Sequence, residues 1–185
     1  MPNLLDALEA ALPMKILGGT LRRVLPDDLP VVKNLVHENG VPFFVPSIGD
    51  EEQLAALLVP WSSSSRIPLA IVDDVLVGMI ELSRISLGPP VSARLGYWID
   101  RRCAGRGLVS VACQKLLEVL HDVGSSDLDA LVLPSNAASI RVLQRLGFVD
   151  EGVAVEELFV EGNWRSCLRF VRHDHDDDVV TPFVL

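Results

Sequence analysis

Apolar positions along the chain fall into short blocks whose period changes, and the changes mark the elements. Residues 15–24 read as a first strand after the break at Pro13. Pro26-Asp27-Asp28 then opens a helix to about Glu38, because Leu29, Val32, Leu35 and Val36 recur at helical spacing. Gly40, Pro42, Pro46 and Gly49 make residues 39–49 a loop around Phe43-Phe44, and Asp50-Glu51-Glu52 starts a second helix that ends before Pro60. The serine run at 62–65 is an exposed turn. From Pro68 the texture is that of strands: residues 69–72, a turn at Asp73-Asp74 and residues 75–86 predict a long-armed hairpin, and Gly88-Pro89-Pro90 turns the chain into a strand over 91–99. Residues 107–121 hold the clearest helix, with Val109, Ala112, Cys113, Leu116 and Leu120 on one face. A short strand over 128–133 follows, then a helix from about Ala137 to Leu146 stopped by Gly147, and two last strands over 148–158 and 164–171. The order β-α-α-β-β-β-α-β-α-β-β predicts a mixed α/β (α+β) domain.

Composition narrows the class. With 49% hydrophobic and 22% charged positions, the chain can bury a core, which excludes a disordered protein. Its 185 residues suit a single domain over 1–185, with a core at about 15–172 and an acidic tail at 173–185. No apolar run approaches the length of a membrane span. Residues 1–12 are amphipathic, carry Asp6 and Glu9 and lack a basic residue, the reverse of a secretory signal, so the expected compartment is the cytoplasm. Sixteen basic against 25 acidic residues give a net charge of −9, which argues against nucleic-acid binding and favours a cationic substrate such as an amine. Cys103, Cys113 and Cys167 are odd in number and widely spaced, so reduced thiols are expected rather than a disulfide framework or zinc site. The run from His173 to Asp178 reads as solvated acidic tail, and no metal is expected.

The chemistry concentrates where the strand over 91–99 meets the best helix. Arg102-Cys103-Ala104-Gly105-Arg106-Gly107 forms a glycine-containing turn directly before the helix that holds Leu108 and Val109. N–H groups at a helix start lack internal partners and carry partial positive charge, so this turn suits a phosphate. Gly105 and Gly107 let the backbone come close to such a group, and Arg101, Arg102 and Arg106 add cations. The other reading is a plain strand-to-helix turn with solvated arginines. Neither the GxxxxGK[ST] nor the GxGxxG fingerprint is present.

These residues resemble the GNAT superfamily of acetyl-CoA-dependent N-acetyltransferases. Residues 102–107 match its pyrophosphate loop. Asn136-Ala137-Ala138-Ser139, continuing through Arg141-Val142-Leu143 to Leu146-Gly147-Phe148, is similar to a signature of the RimJ/RimL-type branch, which acetylates protein amino termini and various small amines. Leu95-Gly96-Tyr97-Trp98-Ile99 looks like the family's fourth strand and Val77-Gly78 like the start of its third. The resemblance implies one GNAT-type domain: a mixed, mostly antiparallel sheet of about six or seven strands, flanked by about four helices, with the fourth and fifth strands splayed. It implies acetyl-CoA as co-substrate, its pyrophosphate on Arg102, Cys103, Ala104, Gly105, Arg106, Gly107, Leu108 and Val109. The pantetheine arm would lie along Trp98 and Ile99, near Asn136. The expected partners are acetyl-CoA and an amine acceptor, without nucleic acid or membrane, the chain being a monomer or homodimer.

Three catalytic candidates follow from the resemblance. Ser139 would assist the leaving thiolate, since the single tyrosine, Tyr97, lies outside the helix that usually supplies one. Asn136 would act beside it, or serve as a helix N-cap. Relatives usually carry acids where this chain has Arg94, Val111 and Ser166, which leaves Glu81 as the alternative base. Counting back across Gly88-Pro89-Pro90 places Glu81 opposite Arg94, and an ion pair there would lower its pKa and weaken it as a base. With the acids altered, an acyl-CoA-binding module without catalysis is the alternative to an enzyme. Phe43, Phe44 and Trp61 either line an acceptor pocket or belong to the core.

Overall fold

The computed structural model describes residues 4–39, 51–59, 66–87, 91–123, 126–160 and 163–173. Phe43-Phe44, Trp61, the serine run, the Gly88-Pro89-Pro90 turn and the tail beyond His173 lie outside them. Helix α1 (Leu4–Ala11) leads into β1 (Met14–Ile16) and β2 (Gly19–Arg23). After a 3-10 turn at Pro26–Asp28 come α2 (Leu29–Asn39) and α3 (Glu51–Ala56), then β3 (Arg66–Asp73), β4 (Val75–Ser86) and β5 (Val91–Ile99). The described residues go on through α4 (Leu108–Asp122), β6 (Ser126–Val132), α5 (Ala137–Arg145), β7 (Val149–Val160) and β8 (Asn163–His173).

The strands form one sheet in the order β1-β2-β3-β4-β5-β6-β8-β7, antiparallel throughout except where β5 meets β6. The stretch expected as one first strand is two. Gly18 turns the chain at φ +82°, and the backbone of Gly19 lies so close to Val72 that a β-carbon there would sit 2.3 Å from its carbonyl oxygen. The sheet therefore has eight strands rather than six or seven, and the fourth and fifth strands of the sequence are β5 and β6.

Two apolar layers fix the sheet between helices. On one face Leu4 and Leu8 of α1, the Leu108–Val109–Ala112–Cys113–Leu116–Leu120 face of α4 and Leu143 of α5 pack on Ile67, Leu69, Ile80, Leu82, Leu95 and Ala130. On the other, Val32 and Leu35 of α2, Leu54 of α3 and Leu57 in the turn after it cover Ala70, Leu76, Met79 and Trp98. Burial of α4's stripe is what its helical spacing demands. No helix among the described residues is long and apolar enough to cross a membrane.

Candidate active site

β5 and β6 pair over a short stretch only, residues 91–94 against 126–129. Beyond it β5 runs on beside β4 alone, and β6 beside β8 alone. The two strands splay, and the β5 backbone over residues 95–99 borders a wedge instead of a neighbouring strand. Buried strand edges need partners for their N–H and C=O groups, so this edge is ready for an extended ligand. The wedge opens into a cleft of about 600 Å³ whose lining includes Trp98, Ile99, Gly107, Val109, Asn136 and Ser139.

At one end of the cleft stands the glycine turn. Asp100 is buried and accepts from the Arg102 N–H, which starts a 3-10 turn over Arg101–Cys103. Gly107 then caps α4 in the left-handed region, at φ 81°, and offers no side chain to the helix start. A β-carbon at Gly105 or Gly107 would meet no protein atom within 4 Å, so the space over the turn is open. That openness, together with uncapped N–H groups, fits an anionic ligand. The arginines are less available than the sequence suggests. Arg102 pairs with Asp100 at 2.7 Å and with Glu38 at 3.3 Å, while Arg106 pairs with Asp73 at 2.7 Å. The bond from Arg102 holds the Asp100 carboxyl below its ordinary pKa. Cys103 and Ala104 line the cleft, and Arg102 and Arg106 stand exposed in the same turn.

Helix α5 supplies the wall opposite β5. Asn136 is its N-cap: the side-chain oxygen accepts from the Ser139 N–H at 3.1 Å. The capping reading of Asn136 is thus met, and the amide still presents its NH2 donors from a residue that lines the cleft. The Ser139 carbonyl accepts a bond from the Tyr97 hydroxyl at 3.2 Å, tying α5 to β5 across the wedge.

Glu81 lies elsewhere than the count across the turn placed it. Its strand partner is Gly96, and Arg94 stands opposite Ser83, two residues further along. A two-residue slip keeps both side chains on one face but separates them. Arg94 turns instead to β6 and binds Asp129, with Nη2–Oδ2 at 2.5 Å. Glu81 is 6% exposed and pairs with Arg66 of β3 at 2.6 Å. The expected Glu81–Arg94 pair is therefore corrected, and so is its consequence. Burial pushes the Glu81 pKa up, and the single bond from Arg66 does not reverse it. A small cavity of about 120 Å³ lies beside Glu81, lined also by Ser83, Gly96, Tyr97, Asn136 and Ser139. Tyr97, Asn136 and Ser139 line the larger cleft as well, so the two spaces meet at the splay.

Three contacts escaped sequence reading. Arg66, Asp129 and the Tyr97 hydroxyl all act across strands or between a strand and a helix, where no local pattern marks them. A fourth ties the two helical layers' ends together: the buried Asn39 accepts from the Arg101 N–H at 2.9 Å. Leu-Gly-Tyr-Trp-Ile did announce that Tyr97 sits on the splayed strand.

A sheet splayed between β5 and β6, with an uncapped helix start at the mouth of the wedge, defines an acetyltransferase architecture. Residues 20–149 match the model of the acetyltransferase (GNAT) domain, and the chain belongs to that family. Over 95 residues it is 32% identical to the probable N-acetyltransferase YjcK of Bacillus subtilis, covering 51% of this chain and 52% of that protein. Over 105 residues it is 33% identical to the ribosomal-protein-serine acetyltransferase of Escherichia coli, covering 54% and 56%. The chain thus spans about half the length of the curated relatives it matches. Its fold superposes on the ribosomal-protein-S5-alanine acetyltransferase of Vibrio fischeri with a TM-score of 0.74 at 21% identity, over 88% of this chain and 97% of that one. Mycobacterium smegmatis RimJ in complex with CoA-disulfide gives 0.75 at 22% identity, over 89% and 87%. At these identities the likeness to the solved structures is one of fold.

Proposed function

We propose that this protein is an N-acetyltransferase that moves an acetyl group from acetyl-CoA to a primary amine, with the whole chain serving as one such domain. The observation that carries the reading is the wedge itself, which joins an uncapped helix start to a buried carboxylate at the splay. Residues 102–109 would hold the pyrophosphate through backbone N–H groups. The free β5 edge at Trp98 and Ile99 would bind the pantetheine arm and polarise the acyl carbonyl, with Asn136 adding a donor from the facing wall. When bound, acetyl-CoA supplies an activated acyl group on a thiol leaving group.

The remaining tasks fall to side chains of the wedge. An amine attacks only when neutral, and Glu81 would take its proton directly or through water in the small cavity. Burial makes its carboxylate a stronger base than an exposed one, and the bond from Arg66 opposes that shift without reversing it. Ser139 would donate a hydrogen bond to the departing sulfur. The acceptor can be a protein amino terminus or a small amine; relatives that acetylate ribosomal proteins support the former, and the charge of −9 suits either as a cation before deprotonation. We place the reaction in the cytosol, in keeping with cysteines that form no disulfide among the described residues.

One observation favours a second reading, a CoA-binding module without catalysis: Glu81 is occupied by Arg66, and Arg102 and Arg106 by neighbouring acids. Thiol release from acetyl-CoA, measured against a panel of amines and peptides, separates the two. Release with any acceptor supports transfer. CoA binding without release from any of them overturns it in favour of the module.

A further inference from the structure

Tyr97 is the chain's single tyrosine, and it stands where the two openings of the site meet. It reaches that place from β5, not from the helix that would supply a tyrosine by family resemblance. Its hydroxyl donates to the Ser139 carbonyl at 3.2 Å. Hydroxyl donors usually hold oxygen acceptors at about 2.5–3.0 Å, so this bond is a loose one that a better acceptor can capture. Ser139 itself is half-buried at the first turn of α5, beside Asn136. A phenol parked on that carbonyl therefore lies next to the group expected to meet the leaving sulfur.

We propose that the Tyr97 hydroxyl is a further catalytic group, donating a hydrogen bond to the sulfur that leaves during acyl transfer. The inference rests on the reading that acetyl-CoA occupies the cleft. In the step concerned, a bond forms between the amine nitrogen and the acyl carbon. The carbon–sulfur bond breaks, and its electron pair stays on sulfur. The proton lost by nitrogen passes through Glu81 and water to solvent, and solvent returns one to sulfur to give the thiol. Tyr97 keeps its own proton throughout. Burial pushes its pKa up, so it remains a donor over the whole pH range in which the amine becomes neutral. A donor that strengthens its bond as charge gathers on sulfur acts mainly in the transition state. The alternative role is a brace that holds α5 against β5.

The thiol of bound CoA reports the difference without turnover. Its pKa is measured by thiolate absorbance in saturated complexes of the wild type and Tyr97→Phe, with desulfo-CoA affinity as the control. The expected result is a thiol pKa about one pH unit lower in the wild type, equivalent to about tenfold, with desulfo-CoA bound alike by both. Equal thiol pKa values overturn the inference, as does a loss of desulfo-CoA affinity in Tyr97→Phe without a change at the thiol, the mark of a brace. A second measurement leaves the fold intact. Uniform 3-fluorotyrosine labels this one position, and its fluorine resonance should move with CoA and stay put with desulfo-CoA. Equal movement with both ligands also overturns the inference. If the wild type binds no CoA at all, the acetyl-CoA reading falls and takes the inference with it.

Discussion

Two buried carboxylates in this molecule each face one arginine, yet their pKa values move in opposite directions. Asp28, at the start of α2, is 6% exposed and receives both terminal nitrogens of Arg22, at 2.6 and 2.8 Å, and the Leu25 N–H at 2.7 Å. Burial pushes its pKa up, but three donors outweigh it and the net shift is downward. Glu81 is as little exposed but sits deeper in the protein and has a single bond, from Arg66 at 2.6 Å, so burial wins and the net shift is upward. An ion pair by itself does not decide a carboxylate's strength; the number of donors weighed against the depth of burial does. Asp28 is saturated and can only hold the chain together. Glu81 keeps lone pairs to spare and borders a cavity where a proton can arrive.

The widest separation between the two should appear on substitution. Glu81→Gln should lower acetyl transfer by about 100-fold, because the amide cannot take a proton, while the rest of the cavity is preserved. Asp28→Asn should leave turnover unchanged and lower folding stability by about 1–3 kcal/mol, since one Asn cannot serve all three donors. Thiol-release assays and denaturant melts on both variants check the pair. A variant of Asp28 that slows transfer, or one of Glu81 that does not, erases the distinction.

Arg66 offers a way to sharpen it. Removing the one donor that favours the charged form should raise the Glu81 pKa further. In Arg66→Met the acid limb of the pH–rate profile should therefore shift to higher pH. Turnover at neutral pH should fall by up to about tenfold and recover in alkali. An unmoved limb means that the profile reports some other group, and Glu81 is then structural.

How far the sequence announced this arrangement depends on the range of the interaction. The stripe of α4 and the turn from Arg102 to Gly107 were legible, because helical period and turn chemistry are properties of neighbouring residues. The splay of β5 from β6 was expected from resemblance. The register between β4 and β5 was not legible: the ladder shifts by a residue between Ser83 and Ser86, and no composition near Gly88-Pro89-Pro90 encodes where pairing resumes. That miscount assigned Arg94 to Glu81. The true partners, Arg66 for Glu81 and Asp129 for Arg94, come from strands 15 and 35 residues away in the chain. The turn at Gly18-Gly19 was not legible either, because the apolar block over 15–24 continues across it.

The smallest predicted effect has the most telling sign. Asp28 binds its proton more weakly when folded than when unfolded, so it contributes stability that is present above its ordinary pKa. That contribution is lost as pH falls through the depressed folded value, and the gap between the wild type and Asp28→Asn should close on acidification. Glu81 binds its proton more strongly when folded, so its ionisation costs stability. The cost appears as pH rises from the ordinary glutamate pKa through the raised folded value. Glu81→Gln escapes it. Relative to the wild type, Glu81→Gln should therefore gain stability across that window, by less than about 1 kcal/mol, and the difference should stay constant below it. Denaturant melts from acid to neutral pH would show two curves of opposite slope. Parallel curves would mean that both carboxylates are structural, and that the cavity beside Glu81 holds no base.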